Sequence, residues 1–336
     1  MPRSIRLLAP LTAALLLAGA CGSDDTAATS TGADEGAGAV DAPAEELPTV
    51  VVTTTTLADV VQQLVGDGAE VVSVMPVGAD PHDFQASAQQ VAQLREADAL
   101  VVNGAGFEEG LLDVIESAEA DGVPTYEAIT EVETIEFGAS DHGDEHAHED
   151  EGEDHAHEGA DPHFFQDPAR MAVAAAGIGR FLTENVEGID AQDVGASTDA
   201  YVDELLALDA DVEALLADIP DERRVLVTNH DAFGYFADRY GFEVVGTVIP
   251  SGSTSDGAGA ADLAELAEAV RDEQVPAIFT ENVASSDLAQ ALASEVGGDV
   301  EIVELYTDSL GEDAAEAGSY VDMVRTNAER IAAALA

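Results

Sequence analysis

The chain of 336 residues contains no lysine, and its 11 basic residues, all arginines, face 69 aspartates and glutamates. The formal net charge of −58 would repel phosphate, which argues against a nucleic-acid partner. Most of this charge is consistent with salty surroundings, where screening shortens the range of self-repulsion. Hydrophobic residues still make up 46% of the chain, enough for two ordinary domains or one large one.

Cysteine occurs once, at Cys21, so no disulfide can form within the chain. Upstream lie Arg3 and Arg6, then an apolar run, then small residues just before the cysteine. The run is too short for a membrane-spanning helix and is typical of a cleaved signal peptide, residues 1–20. The letters LAGAC resemble a bacterial lipobox, which would make Cys21 the lipidated first residue of a protein anchored to the cell membrane outside the cytoplasm. An ordinary cleaved signal with an incidental cysteine is the alternative.

After the cysteine, the chain divides into segments of distinct composition. Small, polar and acidic residues favour a flexible tether over 21–47. From PTVVVTTTT onward, β-branched extended runs alternate with helical patterns, which predicts an α/β fold of mostly parallel sheets flanked by helices. The predicted order is an N-terminal α/β lobe (48–140), a loop (141–159), a short segment (160–166), a connecting helical segment that joins the lobes through a long helix (167–219) and a C-terminal α/β lobe (220–336).

The loop DHGDEHAHEDEGEDHAHEG, residues 141–159, has nine acidic residues, five histidines and no side chain larger and more apolar than alanine. It cannot join a core, so it is expected to stay solvated. Paired imidazoles and many carboxylates would attract cations, although a solvated acidic loop with incidental histidines is the simpler alternative. The tract histidines are His142, His146, His148, His155 and His157.

The other three histidines of the chain each lie at a predicted strand-to-helix junction. His82 is in GADPHDFQ, His163 is in ADPHFFQDP, and His230 is in LVTNHDAFGYF. An isolated histidine near a proline is often only a turn residue, but three at equivalent junctions favour a metal site. Zinc takes neutral imidazole and is normally four-coordinate, so a fourth donor is needed. Glu281 and Asp308, near the ends of late predicted strands, are the candidates.

At these residues the sequence resembles the metal-binding receptor lipoproteins of zinc and manganese ABC transporters, the cluster A-I or ZnuA/TroA-like family. The matching stretches run in family order from about residue 48 to the C-terminus. They are GADPHDFQ, NGAGFEEGL, DPHFFQDP, TNHDAFGYFADRYG, AADLAELAEAVRDEQVPAIFTEN and LYTDSLG. The resemblance implies a helical-backbone receptor of two α/β lobes with the metal between them.

The resemblance also implies a ligand set and partners. His82, His163 and His230 match the three imidazole positions of the family, and Asp308 matches its carboxylate ligand, which leaves Glu281 a supporting role. Members that look manganese-selective tend to carry glutamate where this chain has His230, and nitrogen-rich sets suit Zn²⁺. The expected protein is a monomeric, extracytoplasmic Zn²⁺ receptor that serves an ABC permease and its ATPase subunit, with the acidic tract as a weak zinc collector.

Three other functions compete with this interpretation. The same receptor could serve Mn²⁺ or Fe²⁺. Three histidines with an open position are also the pattern of a catalytic zinc site, but the chain has no HExxH motif and Asp308 would close the fourth position, so no enzymatic activity is expected. A surface adhesin or zinc buffer without transport is the third alternative.

Overall fold

The computed structural model describes residues 47–137, 159–298 and 300–336. The predicted signal peptide, Cys21 and all but the last residue of the tether lie outside the described residues. So do residues 138–158, which contain the five tract histidines. Within the described residues, none of the helices combines the length and the apolar character that a membrane crossing requires.

A parallel sheet forms the N-terminal part of the described chain. Its elements are β1 (Thr49–Val52), α1 (Thr55–Val65), β2 (Glu70–Ser73), α2 (Ala88–Glu96), β3 (Ala99–Val102), α3 (Leu112–Ala120) and β4 (Thr125–Glu127). The strands pair in the order β2-β1-β3-β4, with Val51 of β1 opposite Val72 on one side and Leu100 on the other. β1 and β3 lie at the centre, which explains why their valine-rich sequences are almost wholly buried.

Two packed helices follow where one connecting helix was predicted. They are α4 (Pro168–Asn185) and α5 (Ala191–Leu216), so the connection is a helical pair. The break lies at residues 186–190, where Gly188 has a φ of +92° and Asp190 caps α5 by accepting two backbone N–H groups. α5 also contacts α1 near the start of the fold and the last helix of the chain, and thereby ties its two ends together.

The C-terminal part repeats the strand order of the first sheet. It comprises β5 (Val225–Thr228), α6 (Gly234–Tyr240), β6 (Glu243–Thr247), α7 (Ala260–Asp272), β7 (Ala277–Glu281), α8 (Asp287–Val296), β8 (Glu301–Leu305), α9 (Ala314–Ala317) and α10 (Tyr320–Leu335). β5 pairs with β6 and β7 pairs with β8 as two separate parallel sheets of two strands, and β5 lies beside β7, so the strands are arranged in space in the order β6-β5-β7-β8. The predicted α/β fold of parallel sheets flanked by helices is confirmed; the exact lobe boundaries stay a prediction.

This repeated order determines where ligands can collect. In open parallel sheets, side chains that follow the carboxyl ends of the strands line a crevice where the strand order reverses. Both sets of strands have such a reversal, between β1 and β3 and between β5 and β7. Residues that follow strands of the two sets can therefore meet in one place.

We expect Gly179→Ala to destabilise the fold, although alanine favours helices over glycine. A Cβ at this position in α4 would lie 2.3 Å from the Thr198 hydroxyl of α5, so it would force the two helices apart. The expected cost is about 1–3 kcal/mol in the free energy of unfolding, measured by denaturant titration. Gly195→Ala is the matched control, because its Cβ would meet no atom within 4 Å, and it should stabilise α5 by about 0.8–1 kcal/mol. Equal effects of the two changes would contradict the packing argument.

Candidate metal centre

Four buried side chains from separate connections meet at one point of the structure. His82 lies between β2 and α2, His163 lies just before α4, His230 follows β5, and Asp308 follows β8. One ligand atom from each lies within 4.8 Å of the others, and no residue of the set is more than 4% exposed. The structure thus brings together the three histidines and one of the two carboxylates singled out in the sequence.

The distances between these donor atoms are close to those of a tetrahedral zinc site. With metal–ligand bonds of about 2.0–2.1 Å, neighbouring donors of a tetrahedron lie about 3.3–3.4 Å apart. His230 Nε2 lies 3.3 Å from His163 Nε2 and 3.5 Å from an oxygen of Asp308. The Nε2 atoms of His82 and His163 lie 3.8 and 4.0 Å from that carboxylate. Movements of roughly half an ångström would close the cluster around an ion.

Several polar atoms of the cluster are buried without a hydrogen bond. Among the described residues, none makes a hydrogen bond to His82 Nε2 or to either carboxylate oxygen of Asp308. Leaving a buried polar atom unsatisfied costs about 1–3 kcal/mol. A divalent cation at the centre would satisfy all three atoms at once, so the residues present fit a bound metal ion.

His82 and His163 lie in two separate turns of the same kind. Both follow an Asp-Pro pair, and in each the aspartate Oδ1 accepts the backbone N–H of the histidine, at 3.0 Å for Asp80 and His82 and 2.9 Å for Asp161 and His163. Asp161 Oδ1 also lies 2.7 Å from the Nδ1 of its histidine. The fixed proline and the aspartate bond therefore set the direction of each imidazole.

A carboxylate lies against the Nδ1 atom of each histidine. Glu281, the last residue of β7, places its oxygens 2.7 and 2.8 Å from His230 Nδ1, and one of them also accepts the His230 backbone N–H. Glu109 lies 3.1 Å from His82 Nδ1. Together with the Asp161 contact, these bonds favour protons on all three Nδ1 atoms and leave the Nε2 atoms to face the centre.

Apolar contacts and hydrogen bonds from the residues after β3 support the loops that carry His82 and His163. The ring of Phe107 packs edge-on against His82 and His163, with centroids 5.1 and 5.4 Å apart. The buried carboxylate of Glu108 accepts the backbone N–H of Asn103, whose side-chain amide donates to the carbonyl of Pro162. The residues after β3 therefore support the loops of the first two histidines.

Burial and charge act against each other on the titratable groups of the cluster. Burial lowers the pKa of His163 well below its usual value. Burial would lower the pKa of His230 as well, but the carboxylates of Glu281 and Asp308 outweigh it and raise that pKa to about 10. Burial also raises the pKa of Asp308, against the opposing charge of His230. The two carboxylates therefore favour the protonated form of His230.

Sequence reasoning missed two of the supporting carboxylates. Glu281 lies against His230, as its predicted supporting role requires. Asp161 and Glu109 were not singled out, although the repeated Asp-Pro-His pattern was a visible signal for the first of them. Glu109 stands 27 residues after His82, and nothing in the spacing links the two. The tract histidines and Cys21 lie outside the described residues.

Comparison with known proteins identifies the family. The sequence profile of "ZnuA: Zinc-uptake complex component A periplasmic" matches residues 50–334. The chain belongs to the ZnuA family. Zinc-binding protein TroA of Treponema pallidum is 32% identical over 318 residues, which are 91% of this chain and 94% of TroA. The manganese-binding lipoprotein MntA of Bacillus subtilis is 30% identical over 292 residues, 85% of this chain and 89% of MntA.

The fold of this ZnuA-family chain agrees with that of a solved relative. The structure of periplasmic zinc-binding protein TroA from Treponema pallidum superposes with a TM-score of 0.76 at 31% identity, over 86% of this chain and 99% of TroA. The chain is therefore a metal-binding receptor of the kind that serves ABC-type metal uptake. Which metal it carries depends on its own donor set.

We expect Glu281→Gln to weaken zinc binding about 10–100-fold, because the variant keeps a hydrogen-bond acceptor for His230 but loses the charge that makes the imidazole a better donor. Competitive titration against a chelator measures the change. Glu301→Gln, at the far end of β8 from the site, is the matched control and should bind like the parent.

Proton release provides a second measurement for the same variant. Zinc must displace the proton from His230 Nε2, so the parent should release about one proton per ion at pH 7. At pH values below the His230 pKa of about 10, the zinc affinity should increase about tenfold for each unit by which the pH is raised. Glu281→Gln should release fewer protons, since the pKa of His230 is no longer raised by that carboxylate. Calorimetry in buffers of different ionisation enthalpy measures the release. Heats that do not depend on the buffer would contradict the assignment of the proton.

Proposed function

We propose that the chain is the extracytoplasmic receptor of a zinc uptake system. It would bind Zn²⁺ through His82, His163, His230 and Asp308 and deliver the ion to an ABC permease driven by a separate ATPase subunit. The observation that carries the proposal is the convergence of three imidazole nitrogens and one carboxylate in a buried cluster whose donor spacing suits a tetrahedral ion.

The donor set favours zinc over the metals named for other relatives. MntA of Bacillus subtilis is named as manganese-binding, and YfeA of Yersinia pestis as iron-binding. Three nitrogens and one oxygen in a tetrahedral arrangement suit Zn²⁺, whereas Mn²⁺ prefers oxygen-rich, six-coordinate sites. Burial of all four ligands also leaves little room for the additional water ligands that an octahedral ion would keep.

The same geometry favours a receptor over a zinc hydrolase. A catalytic zinc site keeps one position open for water, and here Asp308 faces all three histidines and fills that position. The nearest candidate for a general base, Glu281, is held by two contacts to His230. A site with four protein ligands suits tight, reversible binding of the ion itself.

The proposed location rests on the N-terminal sequence. A signal peptide over residues 1–20 and a lipid on Cys21 would anchor the receptor to the outer face of the cell membrane, and the small polar residues up to 47 would act as a tether. Relatives named as lipoproteins, MntA among them, support this arrangement.

The decisive experiment is a competitive metal titration of residues 22–336 after removal of metal with a chelator. The parent protein should show one tight Zn²⁺ site that excludes Mn²⁺. The triple variant His82→Ala, His163→Ala, His230→Ala should lose that site while it keeps the folded circular dichroism spectrum. Tight Mn²⁺ binding would make the receptor a manganese protein, and zinc binding that survives the triple change would place the site elsewhere.

The acidic tract is proposed as a weak zinc collector, and its removal tests that role. Deletion of residues 141–158 should preserve the tight site and abolish the weaker zinc equivalents, because the imidazole pairs that bind them are gone. A variant with the five tract histidines changed to serine keeps the carboxylates and separates the two donor types. An unchanged stoichiometry in the deletion variant would remove the collector role.

A further inference from the structure

One carboxylate near the cluster differs from the others in its exposure. The side chains of Asp161, Glu281 and Asp308 are at most 1% exposed, whereas that of Glu109 is 36% exposed. Glu109 nevertheless contacts His82 at 3.1 Å. It is therefore the carboxylate of this group that touches both the solvent and a metal ligand.

A cavity of about 290 Å³ opens beside this pair. Glu109, His82, Phe107 and Pro162 line it, with Ala105 among the residues that complete its wall. A hydrated divalent cation carries roughly six water molecules of about 30 Å³ each, so it would fit in this space. Among the four donor residues, His82 is the one that borders the cavity.

The imidazole of His82 separates the cavity from the buried cluster. Its Nδ1 atom faces Glu109, and its Nε2 atom lies 3.8 Å from Asp308, with no hydrogen-bond partner among the described residues. A cation that approaches from the cavity meets a charged carboxylate before it meets this ring. The donors beyond the ring belong to residues at most 2% exposed.

We propose that this cavity is the path by which the metal ion enters the site and that Glu109 is the first side chain to bind it. The inference rests on the proposed function of the cluster. Glu109 exchanges its hydrogen bond with His82 for a bond to the ion, and the ion gives up a water molecule in return. Movement of the freed His82 ring then passes the ion to the inner donors, and release follows the same steps in reverse.

The described residues that flank residues 138–158 fit this path. They are Phe137 and Gly159, and both line the cavity. The many carboxylates in the sequence between them would raise the local concentration of cations.

Rapid-mixing kinetics of Zn²⁺ with metal-stripped protein test the role of Glu109. In Glu109→Gln the association and dissociation rates should both fall about tenfold, which leaves the equilibrium constant little changed, because glutamine still accepts a hydrogen bond from His82 but attracts the ion weakly. Asp83→Asn is the matched control: it removes one exposed charge next to His82 without touching the cavity, and its rates should stay within twofold of the parent. An unchanged association rate with faster dissociation would show that Glu109 only positions His82 and would overturn the proposal.

A steric variant tests the path independently of charge. Ala105→Trp adds bulk to the cavity wall at an exposed residue that is not itself a ligand, so it should slow association and dissociation by the same factor. If both variants bind zinc tightly at unchanged rates, the proposed entry path is wrong, while the proposed function of the site still stands. Zinc binding that persists after removal of the three histidines would instead overturn the function on which the path rests.

Discussion

The meeting of four buried donor residues at one point is the constraint on which the rest of the site depends. Among the described residues, His82 Nε2 and both oxygens of Asp308 have no hydrogen-bond partner, and two carboxylates raise the pKa of the buried His230. Each of these features is costly in a protein interior. The fold keeps them together because the sheets, the Asp-Pro-His turns and Glu281 are supported by contacts of their own.

Three carboxylates contact the Nδ1 atoms of the histidines in different surroundings. Asp161 and Glu281 are buried, so solvent does not compete for their contacts with His163 and His230. Glu109 is exposed, so its effect on His82 is weaker and depends more on salt. His82 is accordingly the ligand that is held least firmly, and it is also the one that borders the cavity. The buried carboxylates hold His163 and His230 firmly, and the exposed Glu109 holds His82 less firmly. This difference suits a site from which the ion must also be released.

Sequence reasoning singled out the three histidines because each stands at a predicted strand-to-helix junction, and the family resemblance singled out Asp308 as the fourth ligand. It missed β4, since the three residues Thr125–Glu127 carry no apolar run that would mark a strand. It also missed the break between α4 and α5, although Gly188 and the cap Asp190 were visible. The partners of the histidines depend on strand order: Glu281 is 51 residues from His230 and reaches it because β7 lies beside β5. Such a contact cannot be read from spacing along the chain.

The origin of the ligands explains how a small movement can release the ion. His82 and His163 follow strands of the N-terminal sheet, whereas His230 and Asp308 follow strands of the C-terminal part. α5 packs against both α1 and α10, which opposes a wide separation of these regions. A wide separation is unnecessary, because a zinc site tolerates changes of only about 0.2 Å in its bond lengths. A tilt that moves one pair of ligands by an ångström relative to the other would therefore weaken the site enough for a membrane partner to withdraw the ion.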